Sequence, residues 1–295
     1  MNRKQFWLYM ILVFGLTWTL WIIILPLLPI PLNAGMQITG AIGMYFPALS
    51  VLLMCLFTHR KTGWKEMLKL HARHNGIWYI IAWFLPAVLT VLGGLIYFAV
   101  FTSEFDPKMT YMASLMAAQD TAAGITPAML VLIQAAQAVT VAPVINSLLA
   151  VGEELGWRGY MVPELRKKYS PLVTHLIAGL VWGLWHTPIN MLGHNYGLRY
   201  AGYPWGGILA MSVFCFSIGV IASLLFEKTG SIWPPALLHG AVNAISGLPV
   251  MFQKPMMIQG AHVLLGPSLN GLLAGLPMLA CALYILYRMT KEANT

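Results

Sequence analysis

The sequence predicts an all-α polytopic membrane protein, with eight transmembrane helices around an intramembrane cavity and a single domain over residues 1–295. Three observations carry this. Hydrophobic residues make up 59% of the chain and charged residues 9%, where a soluble domain carries roughly 25% charged residues. Mean hydropathy is +0.73. Apolar runs long enough to cross a bilayer recur along the chain, and the basic residues fall between them. The same figures exclude a disordered chain, a collagen and a disulfide scaffold.

The eight runs are Phe6–Leu28, Gln37–Phe57, Ile77–Phe101, Pro127–Leu149, Pro171–Leu192, Gly206–Phe226, Trp233–Met251 and Val263–Tyr287. The first follows Arg3 and Lys4 as a signal peptide would, but it is long and Trp-rich, and no small-residue cleavage site follows, so it reads as a span. The fourth runs on past Glu154. An even number of spans puts both termini on one side. With the N-terminus inside, Arg3, Lys4, Arg60, Lys61, Lys65, Lys69, Arg73, Arg158, Arg166, Lys167, Lys168, Lys228, Arg288 and Lys291 fall inside, and Lys108, Arg199 and Lys254 fall outside. This bias predicts cytoplasmic termini.

The net charge of +8, from 17 Lys+Arg against 9 Asp+Glu, therefore belongs to membrane-flanking loops and implies no nucleic-acid partner. Membrane lipid is the expected partner of the basic, Trp- and Leu-containing segment His59–Asn75. The outer loop Ser103–Ile125 holds Glu104, Asp106 and Asp120 and reads as a short interfacial helix without chemistry. Cys55, Cys215 and Cys281 lie inside apolar runs with no CxxC spacing, which excludes a zinc knuckle or a disulfide framework.

Ionisable residues at membrane depth are costly and mark functional positions. Three stretches carry them, all within a motif-bearing core at about 127–251: Gly152-Glu153-Glu154-Leu155-Gly156-Trp157-Arg158, Trp182-Gly183-Leu184-Trp185-His186 and His239-Gly240-Ala241-Val242-Asn243. Adjacent helical residues point about 100° apart, so Glu153 and Glu154 cannot share one job. Arg158 lies one turn after Glu154 and pairs with it, leaving Glu153 to project elsewhere. Glu153 and His186 are equidistant from position 169.5, within the turn Arg166–Pro171, so an antiparallel helix pair brings them to similar depth. His239 and Asn243 share one helical face after the helix-starting Pro234-Pro235. His175, His194 and His262 lack such partners or lie near a membrane edge. Gln134, Gln137, Asn146 and Ser147 read as packing or pocket-lining groups.

These types exclude several reactions. No Ser has a nucleophile setting, no Lys lies within a span to pair with one, the only Asp residues are Asp106 and Asp120, and HExxH is absent. Hydrolysis by water remains. Either Glu153 activates the water, with His186 assisting and His239 and Asn243 holding the oxyanion, or Glu153, His186 and His239 bind a divalent metal such as zinc that activates it.

The set Glu153-Glu154-xxx-Arg158, aromatic-xxx-His186 and His239-xxx-Asn243 resembles the CPBP family, the CAAX proteases and bacteriocin-processing enzymes also called Abi proteins. The resemblance covers about Leu149–Ile245, and Gly152–Pro163 is very similar to the family's first motif. It implies an eight-helix intramembrane endopeptidase in which Glu153 activates water with His186, His239 and Asn243 form the oxyanion site, and Glu154 and Arg158 support it. The second motif usually begins with Phe; here it begins with Trp182, which bears on pocket packing. The implied substrate is a membrane-associated peptide or membrane protein, and the expected location is a bacterial plasma membrane. Two other readings suit a helical bundle with buried charge: a transporter, which predicts internal repeats that are not found although Pro143, Pro188 and Pro234-Pro235 interrupt spans, and a non-catalytic scaffold or immunity protein, against which the intact residue set argues.

Overall fold

The computed structural model describes residues 1–70, 72–118, 124–258 and 260–293. The chain is an all-α polytopic membrane protein; among the described residues the sole β-type pairing is an isolated bridge between Phe105 and Gln253. Helix α1 (Arg3–Leu27) starts where the Asn2 side chain accepts from the Gln5 amide and relaxes into a π-turn over Leu20–Ile24 before Pro26. Helix α2 (Leu32–Thr58) breaks at Met44–Tyr45, just before Pro47, and ends at the left-handed His59. Helix α3 (Ala72–Val100) tolerates Pro86 inside, and the short α4 (Thr110–Ala118) lies in the loop that follows.

Helix α5 (Pro127–Val139) is capped by the Thr126 hydroxyl, which accepts from the Met129 amide. Thr140 then bends the chain by 50° into α6 (Val141–Arg166), which carries a second π-turn at Trp157–Met161. Helix α7 (Pro171–Trp185) is capped by Ser170 and stops at His186, two residues before Pro188. Helix α8 (Trp205–Thr229) closes at Gly230, whose φ of 64° permits the left-handed cap. Helix α9 (Trp233–Ile245) starts with Pro234-Pro235, and α10 (Leu276–Ala293) ends the described chain.

Among the described residues five helices are long and apolar enough to cross a membrane, or six with the bent α5–α6 pair as one span. The expectation of eight spans is therefore not met by length and composition, for two physical reasons. Helix α7, the expected fifth span, is 15 residues of apolar helix cut short by the His186–Pro188 break. In the expected eighth, Val263–Tyr287, residues 263–275 are turns and helix begins at Leu276. The outward faces of the long helices carry exposed apolar side chains such as Ile11, Leu27 and Leu132. These suit hydrocarbon as they would not suit water.

The loop Ser103–Ile125 holds the expected short helix, α4, and beside it a buried polar cluster. Glu104 is buried and accepts hydrogen bonds from Tyr97 Oη at 2.6 Å, Gln253 Nε2 at 2.8 Å and His262 Nδ1 at 2.6 Å. His262 thus has a partner that its sequence position concealed. Burial works to raise the Glu104 carboxyl; the donors Tyr97, His262 and Gln253 outweigh it and hold the group below the usual carboxylate range. This knot ties the end of α3 to the segment after α9. Asp120 lies outside the described residues, as does His71 of the basic segment. The rest of that segment is anchored at the entrance to α9: Met67 O accepts from the Ile232 amide and Leu68 O from Trp233 Nε1, each at 2.8 Å.

Helix α6 is held against two neighbours by missing side chains. A Cβ on Gly156 would fall 2.3 Å from Pro47 Cβ, and one on Gly240 of α9 would fall 2.5 Å from the Ser147 amide nitrogen. These close approaches set where Glu153 and His239 stand. We expect Gly156→Ala to cost about 1–3 kcal/mol of stability by forcing α6 away from α2. Gly15→Ala, where nothing lies within 4 Å of the added carbon, should lose none. Thermal melts of the two variants in detergent check this, and equal melts would contradict it.

Candidate active site

Helices α6, α7 and α9 each deliver part of one polar cluster. Glu153 and Glu154 are buried at 2% and 0% exposure on the last turns of α6 before its π-turn. As their spacing requires, they face different partners. Arg158 Nη1 lies 3.2 Å from each Glu154 oxygen, and His239 Nδ1 donates to Glu154 Oε1 at 2.9 Å. Glu154 therefore joins α6 to α9 through one desolvated carboxylate. A buried carboxylate needs such partners, because isolated charge in a low-dielectric medium is prohibitively costly.

Glu153 turns the other way. Its Oε2 accepts from Trp182 Nε1 of α7 at 2.7 Å and from Trp157 Nε1 at 3.2 Å. Its Oε1 receives no hydrogen bond from the described residues, and Glu153 lines a cavity of about 560 Å³. His186 and Asn243 line the same cavity, with Asn146, His194, Asn195 and Ser246, and with Trp21 and Gln37 from the first two helices. His186 Nδ1–H donates to the Trp182 carbonyl at 2.9 Å; a carbonyl only accepts, so this fixes the tautomer and leaves Nε2 as the acceptor of the neutral ring.

Trp182 touches Glu153, Arg158, His186 and His239. Its indole holds Glu153, its carbonyl holds His186, the Arg158 guanidinium sits 4.5 Å over its ring, and the His239 ring meets it edge-on at 5.4 Å. Glu153, His186 and Asn243 thus come together on the cavity wall. His239, one helical turn before Asn243 on α9, is buried and gives its Nδ1–H to Glu154.

Among the described residues no group of three or more His, Cys, Asp or Glu is arranged to hold a metal ion. His239 is bound through Nδ1 to Glu154, and Glu153 through Oε2 to two indoles.

Three contributors escaped the sequence reading. Trp157 stands one helical turn after Glu153, and that spacing could have found it. His194 enters from the turns after α7, and Gln37 from α2; no local pattern marks either. His194 is made harder to protonate by its burial.

Removing one partner from the buried pair should be severe. Arg158→Ala or Glu154→Ala is expected to cost about 3–5 kcal/mol, because an uncompensated charge stays buried. Thermal melts in detergent read this directly, and an unchanged midpoint in both variants would contradict it.

Comparison with known proteins places the site region. Residues 127–245 match the family model described as type II CAAX prenyl endopeptidase Rce1-like. A stretch of 114 residues is 29% identical to CAAX prenyl protease 2 of Methanococcus maripaludis, covering 38% of this chain and 42% of that protein. The match spans about two-fifths of the relative's length. The stretch from α5 to α9, which carries Glu153, His186, His239 and Asn243, is therefore similar to the CAAX proteases, as the three motifs implied.

Proposed function

We propose that this chain is an intramembrane endopeptidase that hydrolyses a peptide bond of a membrane-associated peptide or protein with a water activated by Glu153. One observation carries the reading: a buried carboxylate keeps one oxygen free at a cavity wall that it shares with a neutral-tautomer histidine and an amide. Similarity to proteins named CAAX prenyl protease supports a peptidase and suggests a lipid-modified peptide as one substrate class.

The chemistry runs as follows. Water, oriented between Glu153 Oε1 and His186 Nε2, loses a proton to the carboxylate as its oxygen attacks the scissile carbonyl. The carbonyl oxygen takes up negative charge. The Asn243 side-chain amide stabilises it, together with Nε2–H of a His239 imidazolium whose Nδ1–H is held by Glu154. Collapse of the tetrahedral adduct breaks the C–N bond, and the proton held by Glu153, relayed by His186, goes to the leaving amine. Glu154 and Arg158 position His239 and Trp182 without touching substrate.

We expect Glu153→Ala and His186→Ala each to lower kcat at least about 100-fold while the protein still inserts and melts near the wild-type temperature. Asn243→Ala should cost about 100–1000-fold. Cleavage of a membrane-anchored peptide by purified variants checks this. Near-normal turnover by either Glu153→Ala or His186→Ala would remove the proposed base or its partner.

A further inference from the structure

The Glu153 carboxylate is gripped on one side only. Trp157 and Trp182, 1% and 3% exposed, both aim their indole N–H at Oε2, and neither reaches Oε1. They approach from different helices, Trp157 from the π-turn of α6 and Trp182 from α7. Each indole is itself fixed. Trp157 packs on Trp182 and Trp185 at 6.3 and 5.9 Å between ring centres, and the Arg158 guanidinium covers the Trp182 ring. Two donors on one oxygen stop the carboxylate from rotating and occupy the lone pairs of that oxygen.

We infer that Trp157 and Trp182 are positioning residues that clamp Glu153 Oε2 and thereby make Oε1 the atom that accepts the proton from water. This rests on the reading of Glu153 as the base. It gives Trp182 a role beyond packing, because its indole N–H donates to the carboxylate. It gives Trp157 the same role from within the helix that carries Glu153. The clamp acts on geometry at the reacting atom and does not touch substrate, so it acts on turnover and not on binding.

The test uses Trp182→Phe, Trp157→Phe and the double variant, assayed on a fluorogenic membrane-anchored peptide that the wild type cleaves. Each single variant should lower kcat about 10–100-fold with KM within about twofold, and the double should lose more than either. Replacement of Trp182 by benzothienylalanine, which keeps the two-ring shape and removes only the N–H, should lose as much as Phe and keep the wild-type melt. Trp233→Phe, which removes an indole donor remote from the cavity, should leave kcat unchanged. Wild-type kcat in the benzothienylalanine protein, or a loss in the Phe variants that follows their melting temperature alone, would overturn the clamp. Glu153→Gln separates the two claims. If it is inactive while the double Trp variant turns over normally, the clamp fails and the base stands; if it remains active, the base itself fails.

Discussion

Glu154 is the residue on which the rest depends. A carboxylate with no exposure inside an apolar bundle must be satisfied by its own chain, and Arg158 and His239 are what satisfy it. That requirement brings α9 to the side of α6 and turns the His239 ring. It also holds the Arg158 guanidinium over Trp182, whose other contacts set Glu153 and His186. The adjacent carboxylate, Glu153, is then free to do something else because Glu154 is paired with Arg158 and His239. Two neighbouring acids with opposite assignments follow from helical geometry alone.

The backbone is irregular where this network forms. A π-turn follows Glu153 and Glu154, the chain bends at Thr140, α7 stops at His186, and Pro234-Pro235 open α9. In a bilayer, irregular backbone is tolerated where protein or a water-lined cavity satisfies it. The breaks cluster around the 560 Å³ cavity and its supports, while long uninterrupted helix such as α8 lies elsewhere. Close approach at Gly156 and Gly240 lets the helices bring these broken ends together.

Much of this was legible in the sequence. Five of the expected spans correspond to helices long and apolar enough to cross, because apolar run length is a direct reading of bilayer thickness. The Glu154–Arg158 pair and the separate direction of Glu153 follow from their spacing, and both are found. What escaped has a common cause. The Glu104–His262 bond and the entry of Gln37 and His194 into the cavity join residues far apart in the chain, and periodicity carries no information about such contacts. Composition also cannot tell apolar turns from apolar helix, which is why residues 263–275 read as part of a span. The bond between Glu154 and His239 is another such contact between residues distant in the chain.

The central claim is that water, and no side chain of the protein, attacks the peptide carbonyl. Single-turnover cleavage in ¹⁸O-water with hydroxylamine present tests it most directly. The account predicts one ¹⁸O atom in the new carboxyl terminus and no hydroxamate. A hydroxamate on that product would reveal a covalent acyl-enzyme and contradict the role given to Glu153.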